Sequence, residues 1–439
     1  MITHHMTSKH SGRRHEIVNL ETNASDGTIT LNPKRTYQTM FGFGGAFTES
    51  AAYTLSQMPE DKRTEVLKAY YDPVEGLNYS LGRVHINSCD FSLENYSYVD
   101  EYDTSLNSFD ISREHRLVIP MIKDAEAIRG EKISLLASPW SPPAWMKTNK
   151  EMNNGGKLLA EYRQTWADYY VKFIEKFKEA DLSIFAVSVQ NEPAAKQTWD
   201  SCLYSDEEER DFVKHHLGPT LERSPHASVG IIVWDHNRDM LIPRAETIYG
   251  DEEAKRHVWG TGIHWYVSEA FENLSTVHEM APDKHILFTE GCVEGGVQLQ
   301  VFENGERYAR NMIGDISNHC EGYLDWNLVL NEFGGPNHVG NYCDAPIIAD
   351  TKEKKLHYNV SYYAIAHFSK HVLPGAKRID CESANTEVGH VAFMNPDGSL
   401  AVVVQNETET DESLTFKFND QSYTCPIERR SISTITIEV

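Results

Sequence analysis

Long apolar runs are missing from this sequence of 439 residues. None reaches the ~18 residues that a membrane-spanning helix needs. The first fifteen residues, Met1 to His15, lack the apolar core of a secretory signal. They are expected to form a disordered leader over 1–15. Its histidines could hold a metal only weakly. These absences make a cytoplasmic protein the expectation, with a non-classical export route left open. The sequons at Asn78 and Asn359 then read as chance matches. Cysteine is sparse too. The seven present are scattered, odd in number and contain no Cys-x-x-Cys pair, which argues against a zinc site, a redox motif or a disulfide framework. Positive charge is in deficit, with 41 basic against 65 acidic residues and a net charge of −24. Nucleic acid and anionic membranes both need clustered Lys and Arg, so neither is an expected partner. An uncharged ligand such as a sugar suits this surface at least as well. Nucleotide signatures are also absent: Phe41-Gly-Phe-Gly-Gly-Ala46 is neither a dinucleotide fingerprint nor a Walker loop. No cofactor and no catalytic metal are expected, and no internal repeat or low-complexity segment occurs.

What is present is an alternation of short apolar runs and amphipathic stretches. Strand-like runs recur at Phe41–Ala46, Tyr79–Val84, Ile133–Ala137, Phe185–Val189, Val229–Trp234, Gly262–Tyr266, Ile286–Phe288 and Gly322–Trp326. Helical patterns lie between them. The clearest carries Tyr162, Trp166, Tyr169, Phe173 and Phe177 on one stripe, at steps of three and four. Tyr362–Lys370 supplies an eighth helix. Eight βα units predict an α/β fold, a closed (β/α)8 TIM barrel over 41–371. After residue 371 the texture turns to alternating strands and turns, as in Leu400–Val404 and Ile432–Ile437. Residues 372–439 are therefore expected to form a side β-sandwich, joined by the strand-like segment 16–40 from the other end of the chain.

Two runs end in the same way. Phe185-Ala-Val-Ser-Val turns abruptly to Gln190-Asn-Glu-Pro193, and His285-Ile-Leu-Phe-Thr ends in Glu290. A carboxylate at the tip of a core strand is costly unless it faces a cleft or a partner. In a (β/α)8 barrel all strand C-termini point to one face, so Glu192 after the fourth strand and Glu290 after the seventh reach one cleft. Two carboxylates there, without a metal-ligand cluster, fit hydrolysis of a glycosidic bond, in which one protonates the departing oxygen and the other meets the developing oxocarbenium ion. Like charges that close should raise the pKa of Glu192 while Glu290 is ionised. Asp90, Trp140, Asn191, Tyr266, Trp326 and Asn337 also fall at or just beyond strand ends, where tryptophan faces stack on sugar rings and Asp or Asn hold hydroxyls. Glu294 and Glu332 are rival acids, but both sit in loops beyond the tips. Tyr96, Tyr98 and Tyr102 either wall the cleft or cover its rim.

The ordered set Phe41–Thr48, Arg83–Ser92, Leu136–Asn149, Gln190–Pro193, His264–Tyr266, Glu290–Cys292, Asp325–Asn331, Gly334–Asn337 and Ala345–Asp350 resembles glycoside hydrolase family 30, which includes glucosylceramidases. That resemblance implies a retaining β-glycosidase with Glu192 as acid/base and Glu290 as nucleophile. It also implies that Asn191 contacts the sugar 2-hydroxyl and that Asp90, Trp140, Trp326 and Asn337 line the sugar subsite. Arg83 and Tyr266 would orient Glu290. The implied activity is β-glucosidic bond cleavage, with β-1,6-glucanase, β-xylosidase and β-fucosidase as alternatives within the family. Outside it stand an inactive carbohydrate-binding barrel and a metal-dependent hydrolase, for which His264 lacks companion ligands in the sequence.

Overall fold

A computed structural model describes residues 2–20, 25–384 and 386–438; residues 21–24, inside the 16–40 segment, lie outside it. Eight parallel strands close into a barrel. In chain order they are Gly42–Ala46, Leu81–Ile86, Ser134–Pro139, Ser183–Ser188, Gly230–Asn237, Gly260–His264, His285–Glu290 and Gly322–Asn327. The aromatic stripe of helix Arg163–Glu179 packs into the core around the barrel, with Trp166, Tyr169, Phe173 and Phe177 fully buried.

The barrel interior is built in layers. Leu81, Leu136, Ala186, Ile232, Leu287 and Leu324 fill the lower layer, floored by Phe41, Phe185 and Trp259. Side chains two residues further along a strand share the same face. Arg83 follows Leu81, Ser138 follows Leu136 and Ser188 follows Ala186, so the next layer is polar. Two strands depart from this alternation. Register slips between Trp234 and His236 on the fifth strand and between Phe288 and Glu290 on the seventh. Bulges of this kind re-aim side chains. Here they leave Trp234 and Phe288 in the core outside the barrel, while Asp235 and Glu290 contact Arg83 inside it.

The second domain is one nine-stranded sheet folded over its own core. It runs from Gln421–Ile427 at one edge through Gly27–Thr39 and Lys377–Ala384 to Ser431–Ile437, then Ile2–Ser8 and Glu16–Ile17. Both ends of the chain therefore build the sandwich. The disordered leader expected over 1–15 is not found: Ile2–Ser8 pairs antiparallel with Ser431–Ile437 along its whole length. Its backbone groups are satisfied by a partner more than 400 positions away, which local polarity could not reveal. Between the eighth strand and helix Val360–Ser369, a three-stranded sheet of Val329–Asn331, Ile347–Asp350 and Lys355–Tyr358 carries a long loop over residues 332–346.

Candidate active site

The C-terminal face of the barrel opens into a cavity of about 270 Å³. Asp90, Trp140, Asn191, Glu192, Tyr266, Glu290 and Trp326 all line it. The Trp140 and Trp326 rings stack on each other with centroids 5.1 Å apart, forming an aromatic wall.

Glu290 ends the seventh strand and is rigidly held. Arg83 Nη1 donates to its Oε2 at 2.6 Å, and the Tyr266 hydroxyl donates to its Oε1 at 2.8 Å. Arg83 lies behind the wall rather than in it, wholly buried, with its guanidinium 4.8 Å from the Trp140 centroid. Its remaining N–H groups reach Ser138 Oγ at 3.1 Å, Asn191 Oδ1 at 2.9 Å and Asp235 Oδ2 at 3.0 Å. Because Asn191 gives its oxygen to Arg83, its Nδ2 is the group left to donate into the cavity.

Glu192 sits four residues past the fourth strand, which ends at Ser188. Its backbone is left-handed, with φ 51°, and its N–H donates to Asp235 O at 3.0 Å. Strained backbone of this kind costs about 1–3 kcal/mol and clusters at functional sites. Its carboxylate has different partners from Glu290. His264 Nδ1 lies 3.3 Å from Oε1, His236 Nδ1 lies 3.7 Å from it, and Gln197 Nε2 donates to Oε2 at 3.2 Å. The other ring nitrogen of His264 bonds Asp235 Oδ1 at 3.0 Å.

These contacts set the protonation states. Burial disfavours the His264 cation, but the carboxylates of Glu290, Asp235 and Glu192 outweigh it and raise its pKa to about 9. Burial likewise pushes Glu192 upward, yet the His264 hydrogen bond and the two nearby imidazoles bring its carboxyl down to about 2. The raised Glu192 expected from like-charge repulsion is thus reversed by a cation that the sequence did not place there. Burial and the Glu192 charge raise Glu290 above the ordinary range, against His264 and Arg83. Asp90 is pushed to about 8 by burial and by Glu290, so it is a neutral acid at pH 7. Its Oδ2 accepts from Asn341 Nδ2 at 3.0 Å, while its Oδ1 is buried without a protein partner.

Asn337 is not in the wall. Its Oδ1 accepts from the N–H groups of Val339 and Asn341, and its Nδ2 donates to the Asn341 carbonyl. It folds the loop that presents Asn341, and Asn341 lines the cavity instead. Glu294 reaches the mouth, ion-paired with Arg307 at 3.0 Å, whereas Glu332 caps Thr351 on the far side of its loop. Tyr96 and Tyr98 donate to Glu114 and support the outer helices, so neither walls the cleft. Residues that sequence reasoning missed include Asp235, His236, Gln197, Asn341 and Cys343. The run Val229–Trp234 switches to Asp235-His236 in the manner of Val189 to Asn191-Glu192, and that switch was the available signal. Glu192, His236 and His264 could together offer three donor atoms to a metal.

A (β/α)8 barrel with two buried carboxylates beside an aromatic pocket is the arrangement expected of a glycosidase. Residues 40–372 match the glycosyl hydrolase family 30 TIM-barrel domain and residues 375–435 the family's beta sandwich domain, so the chain belongs to glycosyl hydrolase family 30. It is 35% identical over 415 residues to mouse lysosomal acid glucosylceramidase, covering 90% of this chain and 80% of that one. The crystal structure of SrfJ from Salmonella typhimurium superposes with a TM-score of 0.94 at 36% identity, covering 100% of both chains. An endo-β1,6-glucanase of known structure superposes with a TM-score of 0.90 at 31% identity, covering 99% of this chain and 98% of that one. Retention of configuration is general to the family.

Proposed function

We propose that the protein hydrolyses β-glucosides by double displacement, with Glu290 as nucleophile and Glu192 as acid/base. The observation that carries the assignment is the asymmetry of the two carboxylates. Glu290 is locked by an arginine and a tyrosine hydroxyl, partners that fix an anion in place. Glu192 is held by a histidine, a partner able to exchange a proton. In the first step Glu290 attacks the anomeric carbon and the bond to the aglycone oxygen breaks. The proton shared by Glu192 and His264 passes through Glu192 to that oxygen. In the second step Glu192 takes a proton from water as the water oxygen attacks the same carbon, releasing Glu290 and returning the proton to the pair. Asp90 and the Trp140–Trp326 wall would hold the ring, and Asn191 Nδ2 the 2-hydroxyl.

Val267 lines the mouth, and two more exposed apolar side chains, Phe333 and Tyr342, lie in the long loop over residues 332–346. Val267 is 64% exposed, Phe333 58% and Tyr342 45%. The Tyr342 carbonyl accepts from the N–H groups of Gly295 and Gly296, which draws the two mouth loops together. An aryl or lipid aglycone would suit the apolar Val267 at the mouth, in keeping with the glucosylceramidase relatives. The β-1,6-glucanase likeness supplies the competing substrate. Glu290→Gln should lower turnover by roughly 10³-fold or more while substrate still binds. Glu192→Gln should cost alkyl glucosides roughly 10²–10⁴-fold and activated aryl glucosides far less. Turnover of glucosylceramide, aryl β-glucosides and β-1,6-gluco-oligosaccharides, with product anomers followed by NMR, tests the whole reading. An inverted product, or normal turnover by Glu290→Gln, would overturn it.

A further inference from the structure

Histidines gather well outside the catalytic pocket, where the first strand of the sandwich meets the end of barrel helix Val360–Ser369. Two of them are committed. His4 Nε2 bonds Ser433 Oγ at 3.0 Å, and His367 places both ring nitrogens on threonine hydroxyls, Thr434 and Thr7, at 2.9 Å each. The other three face one another. His15 Nε2 lies 3.0 Å from His371 Nε2. The His5 ring centroid is 4.7 Å from those of both His15 and His371. One nitrogen from each of the three lies within 4.8 Å of the others. His5 Nδ1 is buried and has no hydrogen-bond partner among the described residues.

The three rings are held by their surroundings. His5 is fixed by strand pairing to Thr434. His15 adopts a left-handed backbone with φ 55°, and its N–H donates to Thr7 Oγ1 at 2.9 Å. The His371 carbonyl accepts from Asn395 Nδ2 at 2.9 Å. All three imidazoles are neutral at pH 7, because burial favours the uncharged ring; His15 is brought down to about 3. Neutral imidazole is the ligating form. Lys370 is the cation nearest this group, and its Nζ is turned onto the carbonyls of Glu75 and Gly76 at 2.7 and 2.8 Å. Metal–nitrogen bonds of about 2.0–2.1 Å place tetrahedral ligand atoms a little over 3 Å apart, which the His15–His371 pair already meets; the His5 ring, stacked on His15 at 14° with its nitrogen within 4.8 Å, would turn inward to complete the set.

We infer that His5, His15 and His371 form a binding site for one borderline divalent transition-metal ion of the Zn²⁺ type, which clips the first strand of the sandwich to the end of the barrel's last helix. Three imidazoles without a carboxylate suit Zn²⁺, Ni²⁺ or Cu²⁺ and disfavour Ca²⁺ and Mg²⁺. The clip would add to contacts that already join the two domains, among them the Arg430–Glu306 ion pair at 2.6 Å and the hydroxyl–imidazole contacts of His367. Its role is structural, and the glycosidase reaction does not pass through it.

The test uses the full chain freed of metal by chelator and titrated calorimetrically with ZnCl₂. The expected result is one ion per chain, a melting temperature that rises with Zn²⁺ concentration and falls back with EDTA, and no such response to Mg²⁺. His15→Gln and His371→Gln should each weaken Zn²⁺ binding by roughly tenfold or more and abolish the stabilisation. Should either variant fail to fold, a crystal of the wild-type chain soaked in Zn²⁺ decides, through an anomalous peak at the zinc edge among the three imidazoles. Absence of stoichiometric binding, binding unchanged in both variants, or a peak only at Glu192, His236 and His264 would overturn the inference.

Discussion

Replacing His264 with glutamine probes how the catalytic proton is stored. On the proposed mechanism the proton held by His264 beside Glu192 is the one delivered to the leaving group, and it is lost as pH rises through about 9. The proton-bearing form is the active one, so the alkaline limb of kcat/KM should fall there. Glutamine keeps a hydrogen bond to Asp235 within reach but cannot carry the charge. The proton must then reside on Glu192 alone, a buried carboxyl without a cation, for which values near ~6–7 are typical. The alkaline limb therefore moves down by roughly two to three units, and at pH 8.5 the variant should be roughly 10²-fold slower on alkyl glucosides. At pH 5.5 both forms keep the proton, and the loss should shrink to a few-fold. Glu290 also loses the charge of His264, which holds its carboxyl down, so the acid limb moves up. The bell should narrow from both sides. The assay is kcat/KM against pH for an alkyl and an activated aryl β-glucoside, since kcat/KM reports the free enzyme. An alkaline limb that stays near 9 in His264→Gln would refute the shared-proton account.

Two further perturbations follow from the buried charges. Arg83→Met leaves Glu290 and Asp235 without their common cation, so it should destabilise the fold by about 3–5 kcal/mol in denaturant melts and also abolish turnover. Asp90→Asn should do the opposite to stability: Asp90 titrates at about 8 in the folded chain against 3.8 as its ordinary value, so its cost to folding grows as pH rises between those values. At pH 7 the variant should gain up to ~4 kcal/mol while losing sugar affinity, and its melting temperature should vary less between pH 5 and pH 8; an equal pH dependence in both forms would sink that reading.

Much of the site was legible because barrel strands are apolar runs that stop at polar residues. Glu192 and Glu290 announced themselves by that switch, as did Trp140 and Trp326 by position. Asp235 carried the same signal but sits one residue after Trp234, and only the bulge decides which of the two faces inward. Asn337 and Asn341 lie in a loop without periodicity, where side-chain bonds to backbone choose which amide reaches the cavity. The first strand was illegible for another reason. Ile-Thr-His-His-Met-Thr-Ser has no apolar alternation, and it becomes a strand because Ser431–Ile437 offers a free edge and because His4 finds Ser433. The protonation of His264 was likewise hidden, since three carboxylates from separate strands create it.

The pairing of Ile2 with Ile437 has a consequence for how the molecule is made. Almost the whole chain lies in the loop that this contact closes, an entropic cost of roughly 5 kcal/mol. During synthesis the strand Ile2–Ser8 leaves the ribosome well before Ser431–Ile437, and until then only the two-residue strand Glu16–Ile17 is there to pair with it. The barrel, whose contacts join neighbours in sequence, can be complete by then. The sandwich edge is therefore expected to zip up last, on a finished barrel, and folding stalled at that point would expose the apolar residues of Ser431–Ile437 and an unpaired sheet edge, while the pocket carrying Glu192 and Glu290 is already assembled.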